Sequence, residues 1–322
     1  MKICIIGSGL TALVLAKSLA KKNIIVDLLC DNKEISKGST RSIGISNKNL
    51  IFLSTLFPKI EELGNNINQI KVFNEKQSKE IINFQSNLRN QFTIFRYNEI
   101  YKFVLKNINI QKLIKKKKLY KNKNFYYEYN DNDLIIDTDL KSKSSKKFFF
   151  RKIKKDYSSN AYTTIIKHKK TNNSTARQIF TKFGPLAFLP ISDIKTSIVF
   201  SINKKNCKLK SKNFYNLVKG YNNFYEINKF IGFEYFKLNL SLLKNYYYEN
   251  ILAFGEPAHA IHPLAGQGFN MSLRDINYLS NIINKKIQSG LSLDNSIFDE
   301  FEKKSKYKNF LFANGIDFIY EF

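Results

Sequence analysis

Lys2 to Ile6 is a short apolar, β-branched run of the kind that forms a buried strand. Gly7-Ser8-Gly9 interrupts it, and apolar residues then recur at helical spacing through Leu13, Leu15, Ala16 and Leu19. Ile24 to Leu29 is again continuously apolar and ends near Cys30 and Asp31. Strand, glycine turn, helix and strand make the opening β-α-β of a dinucleotide-binding fold. In that unit Gly7 makes the turn, Gly9 lets a pyrophosphate approach, and Ala12 fills the close helix–strand contact. Asp31, 22 residues after Gly9, is the acid placed for a ribose hydroxyl. A G-x-G-x-x-A pattern does not by itself say which dinucleotide is held.

A second pattern lies far along the chain. Ile251 to Phe254 reads as a buried strand that stops at Gly255, with Glu256 beside it. A loop with Pro263 and two glycines around Gln267 follows, and an amphipathic helix starts near Phe269-Asn270. Gly266 and Gly268 carry no Cβ, so backbone can approach a ligand there. Unpaired amides at the helix start favour negative charge on that ligand. Further strands are predicted over Ile198–Ile202 and Tyr235–Leu240, inside a sheet from about Tyr157 to Leu240.

The stretch from Gly255 through Ala258-His259, Ile261-His262-Pro263, Ala265 to Gly268 and Asn270 to Leu273-Arg274-Asp275 resembles a known motif. It is similar to the second FAD fingerprint of the aromatic-ring monooxygenases of the para-hydroxybenzoate hydroxylase fold. Within them it looks closest to the ubiquinone-biosynthesis hydroxylases. Glu256 stands where that family has Asp, and Cys30 stands where its ribose-binding acid is expected. Thr40-Arg41-Ser42-Ile43-Gly44-Ile45-Ser46 resembles the segment whose arginine approaches the flavin. Phe183-Gly184 to Leu189-Pro190 resembles an edge of the substrate sheet. Leu134 to Leu140 matches the family's Gly-Ala-Asp-Gly strand end only at Asp139, and Leu140 makes a φ > 0 turn costly.

The resemblance implies an α/β, two-lobed chain: a Rossmann-like FAD-binding domain with an inserted, mainly antiparallel β-sheet substrate domain. Its first part runs over 1–156, with a short excursion into the substrate lobe near 55–92. The substrate sheet follows over 157–246, and 247–322 returns to the FAD domain. The resemblance also implies FAD held by Gly7, Gly9, Ala12, Asp31, Arg41, Gly255, Glu256, Pro263, Gly266, Gln267, Gly268 and Asn270. Pro263 would face the ring to be hydroxylated. The implied reaction is hydroxylation of a polyprenylated phenol in ubiquinone biosynthesis, by O2 through a flavin hydroperoxide, with NAD(P)H or another external reductant. The alternative is a catalytically degenerate accessory or scaffold subunit of the same pathway. A flavin reductase or halogenase on this fold is a third reading, and the absence of tryptophan weighs against the halogenase.

Composition changes this picture little. With 322 residues and 43% hydrophobic content the chain can bury a full core. The net charge of +27 suggests nucleic acid, yet only six of the 53 basic residues are arginine, and no nucleic-acid motif accompanies the lysines. Nucleic acid is therefore not an expected partner. Lys115 to Lys118 reads as a solvated turn. Lys146 to Lys155 interleaves bases with Phe148, Phe149 and Phe150, which fits either an anionic membrane surface or a sheet-entry segment burying its phenylalanines. No run reads as a membrane span or a signal peptide. Cys4, Cys30 and Cys207 lack metal spacing and suit a reducing cytoplasm. His259 and His262 read as loop-shaping residues and His168 as exposed; no metal site is expected. The location implied is cytoplasmic, peripheral on the inner membrane, with ubiquinone-pathway proteins as partners.

Overall fold

The computed structural model describes residues 1–30, 39–76, 80–85, 91–118, 133–203, 209–261 and 267–321. Three sheets organise them. The first contains β1 (Lys2–Ile6), β2 (Ile25–Cys30), β8 (Ile114–Lys118), β9 (Leu134–Asp137), β15 (Tyr247–Tyr248) and β16 (Ile251–Ala253). Its order is β15-β16-β9-β1-β2-β8, parallel throughout except for the β15–β16 pair. The second sheet takes β5 (Gln69–Phe73), β6 (Glu80–Gln85), β10 (Lys152–His168), β11 (Thr175–Thr181), β12 (Gly184–Ser192), β13 (Lys195–Asn203), β14 (Ile227–Leu243) and β17 (His259–Ala260). Its order is β17-β14-β10-β13-β12-β11-β5-β6, antiparallel except at β11–β5. Between them lies a small sheet of β3 (Ser42–Ser46), β7 (Phe92–Arg96) and β4 (Asn65–Ile67).

Helices cover the parallel sheet because its strands are apolar on both faces. They are α1 (Leu10–Ala20), α2 (Asn47–Leu56), α3 (Tyr97–Asn109) and the short α4 (Lys143–Phe148). After the eight-stranded sheet's own helix, α5 (Ser211–Tyr221), the chain returns with α6 (Gln267–Gln288) and α7 (Ser296–Glu321). Ser18 of α1 and Ser280 of α6 meet hydroxyl to hydroxyl at 2.7 Å, closing the helix layer.

Three expectations are corrected here. Lys115–Lys118 is an exposed edge strand, β8, and not a turn. A row of lysines on a free edge discourages further strand pairing. Gly184–Pro190 is no sheet edge: β12 runs between β13 and β11. At Gly184 (φ +130°) an added Cβ would sit 2.2 Å from the Ser201 carbonyl oxygen, so only glycine fits. His168 is buried, with Nδ1 against the Lys169 carbonyl at 2.7 Å and Nε2 against the Thr196 hydroxyl at 3.0 Å. Its lysine neighbours in sequence concealed that, because alternate residues of a strand face opposite sides.

Among the described residues the parallel sheet buries two carboxyl groups, Asp27 of β2 and Asp137 of β9. Asp27 of β2 is sealed from solvent and pairs with Lys117 at 2.7 Å and Lys2 at 3.1 Å. Burial alone would raise its pKa; the two ammonium groups outweigh burial and hold the carboxyl below its ordinary range. A depressed carboxylate pKa stabilises the fold above the unfolded value of about 4, and that stability is lost as pH falls through the folded value. In urea unfolding, Asp27→Asn is expected to lower stability at pH 7 by about 1–3 kcal/mol. It should also lose this acid-side dependence. An unchanged acid limb in the variant would contradict the assignment.

Candidate functional site

The order β8-β2-β1-β9-β16 reverses direction between β1 and β9, and ligands of open α/β sheets bind at such switch points beyond the strand ends. A cleft of about 1350 Å³ opens there. That exceeds the roughly 300–1,000 Å³ of an ordinary small-molecule site, so the cleft has room for two ligands side by side. One wall comes from the parallel-sheet lobe, with Gly9, Thr11, Thr138, Glu256 and Gly268. The other is a face of the eight-stranded sheet, with Ala161, Thr163, Ala187, Val199 and Leu238.

The glycines divide by role. Gly7 has φ +131°, and a Cβ there would lie 2.2 Å from the Thr138 hydroxyl, so it fits the β1 end against β9. A Cβ on Gly9 would meet nothing within 4 Å, and one on Gly268 would meet only Ile261 at 3.8 Å. Both glycines border the cleft, so each leaves ligand space open. Gly255, at φ +68°, would press Thr11 at 3.0 Å and Ser272 at 3.4 Å; it lets β16 end between α1 and α6. Ala12 is buried in the core behind the turn. The N-terminus of α1 has no side-chain cap, leaving its amides to bind an anion.

The segment after Gly255 crosses between lobes. β16 belongs to the parallel sheet, while β17 pairs with β14 of the other sheet, Ser241 opposite Ala260 and Leu242 opposite His259. The chain then returns at Gln267 to begin α6. His259 is buried, its Nε2 3.1 Å from the Asp275 carboxylate. Asp275 also accepts from Arg274 at 2.8 Å and from Asn309 at 3.1 Å, and Asn309 donates to the Tyr246 hydroxyl. This chain of contacts ties β17 to α6 and α7. Asn270 is stapled too: it donates to the Gly44 carbonyl at 2.7 Å and accepts from Ser46 and Asn49 at 2.9 Å. Its side chain thus anchors β3 to α6 and reaches the cleft only through β3.

Arg41 faces the cleft with its guanidinium 5.0 Å from the Tyr97 ring and 6.0 Å from Phe236, one ring from each lobe. Burial pushes the Tyr97 phenol above its ordinary range; Arg41 opposes this and Glu256 adds to it. The residue before Arg41 is fixed by Glu234 of β14, which accepts from the Thr40 amide at 2.6 Å and hydroxyl at 2.7 Å. Asp31, Pro263 and Gly266 lie outside the described residues, as do His262 and Cys207. Gln267 is described only as the first residue of α6.

Sequence reasoning missed Asp137. It stands where the resembled motif has glycine, yet it is fully buried and accepts from the hydroxyls of Ser142, Ser144 and Ser145 and from the Asp139 amide. Burial raises its pKa and these donors pull the other way. The turn that Leu140 was expected to strain is made without a positive φ at that residue. The serine run after Asp139 was the available signal. The aromatic content of the substrate sheet also reads differently. Tyr162, Phe188 and Phe200 pack under α5 on the face away from the cleft.

No family model matches the chain. Among curated proteins it is 33% identical over 86 residues to ubiquinone biosynthesis monooxygenase COQ6 of Dictyostelium discoideum, covering 26% of this chain and 17% of that protein. It is 23% identical over 209 residues to the Danio rerio protein of the same name, covering 52% and 43%. Against 3-demethoxyubiquinol 3-hydroxylase of Escherichia coli it is 28% identical over 155 residues, covering 44% and 38%. The matched segments span less than half the length of each relative. Of solved structures, p-nitrophenol 4-monooxygenase PnpA of Pseudomonas putida superimposes with TM-score 0.79 at 11% identity, over 97% of this chain and 86% of that one. A single-residue variant of Klebsiella pneumoniae HpxO complexed with FAD gives 0.76 at 12%, over 98% and 88%. The chain has the para-hydroxybenzoate hydroxylase fold and is similar over part of its length to ubiquinone-biosynthesis hydroxylases.

The residues present fit FAD. Two open glycines, an uncapped helix start and a long cleft between lobes suit an extended dinucleotide with a pyrophosphate. Gly9→Val and Gly268→Val are expected to leave thermal unfolding of the ligand-free protein nearly unchanged and to abolish FAD uptake in a fluorescence titration. Gly255→Val should lower the unfolding temperature itself. Uptake equal to that of Lys116→Ala, a change on the exposed β8 edge, would show that these glycines do not border the cofactor.

Proposed function

We propose that this chain is an FAD-dependent monooxygenase that hydroxylates the aromatic ring of a polyprenylated phenol in ubiquinone biosynthesis. The observation that carries the reading is the backbone from Gly255 to Ala260, which passes from one lobe to the other beside a cleft sized for cofactor and substrate together. The relatives named as ubiquinone hydroxylases support the substrate class. An external NAD(P)H or other reductant supplies electrons, and the protein works in the cytoplasm, peripheral on the inner membrane, beside other proteins of the pathway.

Bound FAD supplies the redox chemistry with O2, and protein groups supply position and shielding. Gly9 and the amides opening α1 would hold the pyrophosphate, and Gly268 with the start of α6 would border the flavin. Arg41, fixed by Tyr97, Phe236 and the Thr40–Glu234 contacts, sits where the two lobes meet and limits water entry from that side. The phenol lies against the small side chains of the sheet, Ala161, Ala187 and Val199, with Leu238 and Leu240 beside them for an apolar tail. Pro263 is assigned to the substrate side by the family resemblance alone. Fixed orientation of ring and cofactor is the protein's main contribution to rate.

The pure protein is expected to be yellow and to release FAD on denaturation. Deleting its gene should lower ubiquinone and accumulate a precursor lacking one ring oxygen. A Gly9→Val, Gly268→Val double variant should not rescue the strain. Protein that binds FAD while the deletion leaves ubiquinone unchanged, with no second hydroxylase covering the step, would overturn the pathway reading and leave the FAD assignment standing.

A further inference from the structure

The rim of the cleft combines features that its interior does not need. Between 140 and 155 the chain carries eight basic residues and no acid. This stretch includes the turn after β9, α4 and the start of β10, and it supplies Leu140, Lys141, Lys146, Phe150, Lys152 and Lys154 to the cleft lining. Its aromatic residues part company. Phe149 is buried in the core, and Phe148 stacks on Tyr248 at 4.5 Å. Phe150, by contrast, is 63% exposed, with Ile153 at 45% and Leu140 at 41%. The sheet-entry reading therefore holds for Phe148 and Phe149, while Phe150 stays exposed.

Phe150 and Leu140, both exposed and both lining the cleft, lie among lysines of the same stretch, so the rim carries apolar side chains inside a positive field. Soluble surfaces seldom group large apolar residues in this way without a partner. Burial first, and then Lys154, pull Lys152 below the ordinary lysine range. Among the described residues no helix is long and apolar enough to cross a membrane.

We infer that the 140–155 rim docks the cleft mouth onto the surface of an anionic lipid bilayer. The inference rests on the proposed polyprenylated substrate for its purpose: a tail dissolved in the bilayer then enters the apolar side of the cleft without crossing water. Phe150 and Leu140 enter the headgroup layer, and the surrounding lysines meet lipid phosphates, each basic group adding attraction that falls off within a Debye length.

The overall charge of +27 would draw any face of the chain toward anionic lipid, so the test separates this rim from bulk charge. FAD-loaded protein is sedimented with vesicles of phosphatidylcholine alone and of phosphatidylcholine mixed with phosphatidylglycerol. Binding is expected only to the mixed vesicles. Lys146→Glu with Lys154→Glu should weaken it by about tenfold or more. The same reversal at Lys115 and Lys116, on β8 three strands away from β9, should weaken it far less. Phe150→Ser should leave the low-salt binding largely intact and remove the part that survives high salt. Equal loss from the rim and β8 pairs, or binding indifferent to phosphatidylglycerol, would overturn the docking surface. Hydroxylation of a detergent-dispersed prenylphenol without vesicle binding would defeat the docking surface and leave the proposed activity standing. Vesicle binding by protein that takes up no FAD would do the reverse.

Discussion

The cleft depends on Gly255. There β16 ends between Thr11 of α1 and Ser272 of α6, with φ at +68° and a methyl group's position only 3.0 Å from the Thr11 side chain. A side chain at this point would strain the turn and crowd two helices whose N-terminal ends border the same cleft. Both helix starts carry partial positive charge, and that field is useful only while the ends stay close to one another. A turn of backbone without a side chain therefore sets the spacing on which anion binding relies. Glu256, the next residue, consequently reaches the cleft lining and not the core.

Asp137 shows how the same strand ends tolerate a departure from the resembled motif. A buried carboxylate is costly unless its lone pairs are met. Here three serine hydroxyls and one amide meet them, within eight residues of chain. Ser142 also caps α4 by accepting from the Ser145 amide, so one cluster both neutralises the buried charge and starts the helix that leads to the cleft rim. The loss of two glycines has been absorbed locally, and the path of the chain into the cleft survives.

Much of the fold was legible because its signals are short-range. The strand–turn–helix–strand from Lys2 to Cys30 and the strand into Gly255 are set by apolar runs and by glycines whose neighbours are close in sequence. Residues that depend on distant partners were harder to read. His168 looked exposed among lysines, yet strand alternation turns it inward onto Thr196, 28 residues away. Lys117 looked like part of a solvated turn, yet it neutralises Asp27 across the β2–β8 pair. Asn270 was read only as a cofactor contact, and its side-chain amide also ties α6 to β3 and α2. In each case the deciding partner lies on another strand or helix, and no local pattern points to it.

The substrate wall follows from the same alternation. Across the eight-stranded sheet Thr163 stands opposite Val199, and Val199 opposite Ala187, which in turn faces Gln178. One residue along, Tyr162 stands opposite Phe200, and Phe200 opposite Leu186. The small row faces the cleft and the large row packs beneath α5, so one set of strands makes a dense core on one side and an open groove on the other. Because side chains alternate strictly, a one-residue slip of any central strand would exchange the rows and fill the groove. Gly184 resists such a slip, since only its lack of a Cβ lets β12 start against the Ser201 carbonyl. The shape of the substrate space is thus fixed by strand register before any individual contact with substrate is made.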